Sequence, residues 1–252
     1  MRRRGVDASV IDPLLLTAAR LSTFERERLL TNASSFFFER DGRLFLVTSG
    51  HVVSDKMAGH CPDRVEIELH NDPDNIASSI GFSIPLYRNG KSVWRQGSDG
   101  AGGVDVALVE IERSALPSKA LLRMFSPKHL IGSGDAIEIG APLLIVGFPL
   151  GFHDTLHHMP VARQAALASA YGLRFQGKGY FLTDARTHRG SSGAPVVMRV
   201  TQGSMSDDAL PWRLLGVHAS RLDMGSRESD VDEALGLNIA WYADMLLTLT
   251  QD

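Results

Sequence analysis

A single cysteine, Cys61, stands in 252 residues. No disulfide can form within the chain, so packing has to hold the fold. That usage fits a reducing compartment. Excess positive charge is also missing: 26 Lys and Arg face 29 Asp and Glu, a net of −3. Nothing in this balance favours nucleic acid or an anionic membrane as a partner. No run approaches the ~18 apolar residues that a membrane span needs. The basic start Met1-Arg2-Arg3-Arg4 is followed by Gly5-Val6-Asp7-Ala8, which carries a charge and no apolar centre. It therefore does not read as a secretory leader, and the expected location is cytoplasmic. Internal repeats and low-complexity tracts are absent too, which excludes solenoid and fibrous architectures.

What is present is ordinary globular composition, 44% hydrophobic and 22% charged, around one unusual stretch. Thr183-Asp184-Ala185-Arg186-Thr187-His188-Arg189-Gly190-Ser191-Ser192-Gly193-Ala194-Pro195 joins the apolar runs Tyr180-Phe181-Leu182 and Val196-Val197-Met198. A nucleophilic serine needs small neighbours, so that its hydroxyl stands clear. It also needs backbone that turns nearby N–H groups toward one point, which glycine permits. Gly190-Ser191-Ser192-Gly193 meets both needs.

A serine hydroxyl is a poor nucleophile until a base takes its proton, and the base must be held in one tautomer. Upstream, the apolar strand Leu44-Phe45-Leu46-Val47-Thr48 runs through Ser49-Gly50 to His51. Between the two blocks, Asp105 interrupts the β-branched run Val104-Asp105-Val106-Ala107-Leu108-Val109. His, Asp and Ser thus follow one another, each at the edge of an apolar strand.

On these residues the chain resembles the trypsin-like (chymotrypsin-fold) serine peptidases in their disulfide-free bacterial form. The likeness rests on Thr48-Ser49-Gly50-His51-Val52-Val53, Val104-Asp105-Val106-Ala107-Leu108, Gly190-Ser191-Ser192-Gly193-Ala194-Pro195 and Leu215-Gly216-Val217-His218, in that order. It implies a serine endopeptidase with His51 as base, Asp105 orienting it and Ser192 as nucleophile. Ser191 is the rival; the family's serine directly precedes Gly-x-Pro, which favours Ser192. The resemblance also implies an oxyanion hole from the N–H groups of Gly190 and Ser192, and a substrate pocket lined by Arg186, Thr187 and His218. Thr187 and His218 are similar to a threonine–histidine pair with which glutamyl endopeptidases hold an acidic side chain. Gly50 departs from the pattern, since a small residue with a side chain is commoner there.

Several strands at short spacing suggest an all-β, antiparallel barrel fold, and the resemblance implies two antiparallel six-stranded barrels; a short helix is expected at each end. Residues 1–29 read as a helical segment. Asp12 is its N-cap, Pro13 sits in its first turn, and Leu14, Leu15, Ala18 and Leu21 form a stripe. The first barrel spans 30–113, with a hairpin turn at Asp41-Gly42 and a half-solvated strand at Arg64–Leu69. A connector covers 114–133, and the second barrel 134–239, beginning with a strand at Ala136–Ile139. Residues 240–252 read as a helix with Trp241, Met245 and Leu249 on one face.

No cofactor is expected. Gly147-Phe148-Pro149-Leu150-Gly151 is not a phosphate loop, because no Gly-Lys-Ser/Thr follows. No metal site is expected either. His157 and His158 adjoin and so point apart; His153 is nearby and His60-Cys61 is remote. His188 reads as a pocket-rim residue. The partner expected is a protein or peptide substrate, without nucleic acid or membrane. Two alternatives stay open: a peptide-binding or regulatory module with little turnover, and a latent peptidase awaiting an activating partner.

Overall fold

A computed structural model of the chain describes residues 7–100, 102–132, 135–200, 210–222 and 235–251. The basic Met1–Arg4 segment lies outside them. Strands dominate the described residues, because short apolar runs alternate with polar positions and turn residues punctuate them. In the first half these are β1 (Ala18–Glu25), β2 (Arg28–Arg40), β3 (Arg43–Thr48), β4 (Arg64–His70), β5 (Ser79–Pro85), the small β6 (Tyr87–Arg88) and β7 (Lys91–Ser92), β8 (Trp94–Asp99) and β9 (Gly102–Ile111). In the second half they are β10 (Pro142–Gly147), β11 (Val161–Leu167), β12 (Tyr180–Asp184), β13 (Pro195–Arg199), β14 (Trp212–Arg221) and β15 (Leu237–Tyr242).

The second half is a closed barrel in the order β10-β11-β12-β15-β14-β13. The first half is a barrel only partly closed, with strands in the order β5-β4-β1-β2-β3-β9-β8. The all-β, two-barrel architecture is as expected. The additional strand is β1. The helix foreseen over 1–29 is instead two short 3₁₀ turns, Ala8–Val10 and Pro13–Thr17, the second with Asp12 accepting from the Leu14 N–H, and the chain then extends. Leu21 pairs with Ala33 on β2 and with Ile67 on β4. Ala19, Leu21 and Thr23 are buried while Arg20 and Ser22 are half-buried, a period of two that outcompetes the helical stripe.

Two further expectations are corrected. Residues 136–139 form no strand. Trp241 lies on β15, where it pairs with Tyr180 and closes the barrel, so the terminal helix shrinks to Met245–Leu249. The Asp41-Gly42 hairpin is as expected: both residues are left-handed, at φ 52° and 77°, the twist that a two-residue turn between strands requires.

Phe36-Phe37-Phe38 shows how the halves join. Alternation sends Phe37 into the first half's own core with Leu44, Leu46 and Ile67. It sends Phe36 and Phe38 the other way, with Phe45, Val47, Val106 and Leu108. That second face packs against Val146, Phe148, Tyr180, Val217 and Trp241 of the second half. Leu143, Ile145, Phe181, Val196 and Leu215 fill the closed barrel itself. Each buried phenylalanine contributes roughly 2–3 kcal/mol of transfer free energy, so the shared layer fixes one half on the other.

Candidate active site

β3 ends at Thr48, and a single helical turn, α1 (Gly50–Val53), carries His51. β9 presents Asp105 beside it. The His51 backbone N–H donates to Asp105 Oδ1 at 2.8 Å, and His51 Nδ1 donates to Asp105 Oδ2 at 2.8 Å. One carboxylate thus grips both the backbone and the ring of His51. With the proton assigned to Nδ1 by that bond, Nε2 keeps its lone pair. Burial alone would lower the His51 pKa. The hydrogen bond and charge of Asp105, with help from Asp55, outweigh it and hold the pKa above its ordinary 6.5.

The unusual Gly50 has a local reason. A Cβ there would lie 2.4 Å from Gln96 Nε2 and 3.1 Å from Asp105 Oδ1. Gln96 fills that space while donating to the Val104 carbonyl.

The serine loop lies between β12 and β13. Gly190 and Gly193 both have positive φ, 90° and 86°. A Cβ on Gly193 would stand 2.1 Å from the Ser34 carbonyl, and one on Gly190 2.6 Å from the Phe148 carbonyl. Both contacts are with backbone, so no side chain fits. Ser34, fully buried on β2, ties the loop down. Its N–H donates to the Ser192 carbonyl, its hydroxyl donates to the Gly190 carbonyl, and Phe148 N–H donates to that hydroxyl. The His218 carbonyl does the same for the other side: it accepts from Gly193 N–H at 2.7 Å and from Ser49 Oγ at 3.2 Å. One oxygen therefore holds the residue after Ser192 and the residue two before His51.

The peptide between Arg189 and Gly190 is oriented as well. Leu150 N–H donates to the Arg189 carbonyl at 2.5 Å. A trans peptide points its N–H opposite to its C=O, so Gly190 N–H faces away from Leu150. Among the described residues, neither Gly190 N–H nor Ser192 N–H has a partner.

The serine hydroxyl itself is aimed elsewhere. Ser192 Oγ donates to the Ala219 carbonyl at 2.7 Å rather than to His51. Ser191, the rival, is 3% exposed, whereas Ser192 is half-buried. The expected pocket residues divide. Arg186 is exposed, and its carbonyl accepts from Arg163. Thr187 is buried and donates to Asn238 Oδ1 at 2.5 Å. His218 is 2% exposed, its Nδ1 has no hydrogen-bond partner among the described residues, and burial beside His51 lowers its pKa to about 4. His188 is half-buried, its carbonyl accepting from Ser191 N–H.

Ser34 and Asn238 escape sequence reasoning. Asn238 Nδ2 donates to the carbonyls of Ala185 and Gly236, at 2.7 and 3.0 Å, and so shapes the start of the serine loop. The available signal was a lone polar residue in an apolar strand: Asn238 in Leu237-Asn238-Ile239-Ala240, and Ser34-Ser35 before three phenylalanines.

The family model for the trypsin-like peptidase domain matches residues 33–204. The chain belongs to the trypsin-like peptidases. Among curated proteins, this trypsin-like peptidase is 25% identical over 166 residues to a probable periplasmic serine endoprotease, DegP-like, of Pseudomonas fulva (strain 12-X). The match covers 65% of the chain and 26% of that protein, so the chain spans about a quarter of its relative's length. Two solved structures share the fold. The Rv3671c protease of M. tuberculosis, in its active form, superposes with a TM-score of 0.51 at 15% identity, over 98% of this chain and 86% of that one. The serine endoprotease of Yersinia pestis gives 0.54 at 14% identity, over 98% and 66%.

The Pseudomonas relative also corrects the cytoplasmic location expected above, for it is described as periplasmic. The physical reason is that a lone cysteine does not report the compartment. A trypsin-like peptidase whose halves share an apolar layer is held without crosslinks, in oxidising surroundings or reducing ones.

Proposed function

We propose that the chain is a serine endopeptidase that cleaves peptide bonds through an acyl-enzyme. Ser192 Oγ turns from the Ala219 carbonyl toward His51 Nε2, gives up its proton there and attacks the carbonyl carbon. His51 then returns the proton to the leaving amine, and water repeats the sequence to release the acyl group. Asp105 stabilises the imidazolium. The unpartnered N–H groups of Gly190 and Ser192 receive the oxyanion; one such donor is worth on the order of 3 kcal/mol in the transition state. The observation that carries this reading is the two-point grip of Asp105 on His51, set beside the serine loop by the His218 carbonyl. Substrates are proteins or peptides, and the periplasmic relative favours action outside the cytoplasm.

Fluorophosphonate labelling tests the assignment. Wild type and Ser191→Ala react; Ser192→Ala does not. Labelling that survives Ser192→Ala at the wild-type rate rejects the nucleophile. A folded wild type that never labels favours the peptide-binding or latent alternatives.

The buried, unpartnered Nδ1 of His218 supports an acidic preference at the bond cleaved. Burial, with the neighbouring His51, depresses its pKa, and an entering carboxylate would supply a counter-charge. A peptide library distinguishes the cases: cleavage after Glu or Asp that His218→Gln abolishes is expected, and cleavage confined to other residues rejects the preference.

A further inference from the structure

Away from the serine loop, a second cluster of chemistry-bearing side chains sits where the halves meet. Glu68 comes from β4 in the first half. His153 and His158 come from the segment between β10 and β11 in the second. Each offers a donor atom, and the three atoms lie within 4.8 Å of one another. Spacing along the chain hides this group, because its carboxylate is far from both imidazoles in sequence and the adjacent His157 turns away to donate to Asp154.

The local bonding is that of ligands held ready. His153 Nδ1 donates to the Gly151 carbonyl at 2.7 Å, which leaves Nε2 with its lone pair. Metal-binding imidazoles are oriented in this way by a backbone carbonyl. His158 Nδ1 is buried and stands 2.8 Å from Glu68 Oε1, yet the two lack the alignment of a hydrogen bond. Glu68 is steadied from outside by Ser79 Oγ at 3.0 Å and Arg20 at 3.2 Å. Donor atoms about 2.0–2.1 Å from a tetrahedral ion lie roughly 3.3 Å apart. The separations here, from 2.8 Å to at most 4.8 Å, bracket that figure, so small side-chain rotations complete the geometry.

We propose that Glu68, His153 and His158 form a binding site for a divalent transition metal, zinc by preference, that ties the two halves together. Two imidazoles and a carboxylate are the borderline donor set that suits Zn²⁺, and all three side chains are only partly buried, so a water reaches the fourth position. His70 stands outside the group: its Nε2 donates to the His157 carbonyl, and the donor atoms that lie together are those of Glu68, His153 and His158. The ion would anchor the loop that begins at Leu150-Gly151. That loop holds the Arg189 carbonyl, so the metal would steady the serine loop from a distance. The site itself rests on no assumption about peptidase activity.

The experiment uses the full chain, stripped with EDTA and titrated calorimetrically with Zn²⁺, with Co²⁺ as a spectroscopic probe. One equivalent of Zn²⁺ is expected to bind and to raise Tm, and Co²⁺ should give the intense visible bands of a four-coordinate site. His153→Ala and Glu68→Gln should each weaken binding more than about 100-fold, beyond the cost of losing an outer partner. His157→Ala should leave it unchanged. His153→Ala changes a partly exposed loop residue, and the Tm of the stripped variants reports folding independently of the metal. Wild type that binds Zn²⁺ no better than His153→Ala overturns the proposal. So does binding that depends on Cys61 or His60 instead.

Discussion

At the scale of single residues, two histidines about one site are tuned in opposite directions by their neighbours. His51 has a carboxylate and is held above 6.5; His218, fully buried beside His51, is pushed to about 4. The first makes a prediction about rate. In the proposed mechanism His51 is the base, and a base works only when neutral, so kcat/KM should rise with pH through a limb that lies above 6.5. Asp105→Asn removes the charge that raises the pKa, replaces the charge-assisted hydrogen bond by a neutral one, and leaves burial. The limb should then move to lower pH, while kcat falls by about 10⁴-fold. A pH–rate profile of the two proteins checks this; an unmoved limb means that the limb belongs to another group.

The second makes a prediction about stability. Between pH 6.5 and about 4 the unfolded chain protonates His218 and the folded chain resists. The unfolded state then carries more protons, so stability falls as pH drops across that window, by roughly 3 kcal/mol for this residue. The contribution is fully present above 6.5. Urea unfolding of wild type and His218→Gln at pH 7 and pH 4.5 should show a smaller acid loss in the variant.

At the scale of elements, the serine loop is shaped from outside itself. Its own sequence supplies glycines that tolerate positive φ, and strand β2 supplies the holding groups through Ser34. Ser34→Ala leaves the Phe148 N–H and the Gly190 carbonyl without the hydroxyl that joins them. The expected cost is about 1–3 kcal/mol of stability, since both groups are left buried and unpaired. kcat should fall more than KM rises, because the change disturbs the proposed oxyanion site at Gly190 rather than where the substrate docks. Ser34→Thr keeps the hydroxyl and should recover part of the loss. Steady-state kinetics beside chemical unfolding separate these effects. Gly50→Ala is a milder case: the new methyl meets the end of a flexible glutamine, so Gln96→Ala in the same chain should relieve it.

At the scale of the molecule, the apolar layer shared by the halves decides how they unfold. Phe36, Phe38 and Phe45 from one half and Phe148, Val217 and Trp241 from the other belong to one continuous cluster. Each half has a core of its own, but without its partner it would expose the face that it gives to this layer. Heating should therefore give a single calorimetric transition with equal van't Hoff and calorimetric enthalpies. Phe38→Ala should lower stability by about 3–5 kcal/mol and still leave one transition. Two separated transitions would show that the halves are independent units.

Much of this was legible in the chain alone. Alternating apolar residues, the Asp41-Gly42 turn and the order of the His51, Asp105 and Ser192 blocks determine an all-β fold and the chemistry to look for. They do so because period and turn type are local properties of the backbone. Long-range partners are not local. The stripe Leu14, Leu15, Ala18, Leu21 suits a helix until Leu21 finds Ile67 across the sheet, and Trp241 suits one until it finds Tyr180. The same reason hides Ser34, Asn238 and the joining of Glu68 with His153 and His158. The identity of such residues is written in the sequence, but their roles arise only when folding places a neighbour from far along the chain within a hydrogen bond's reach.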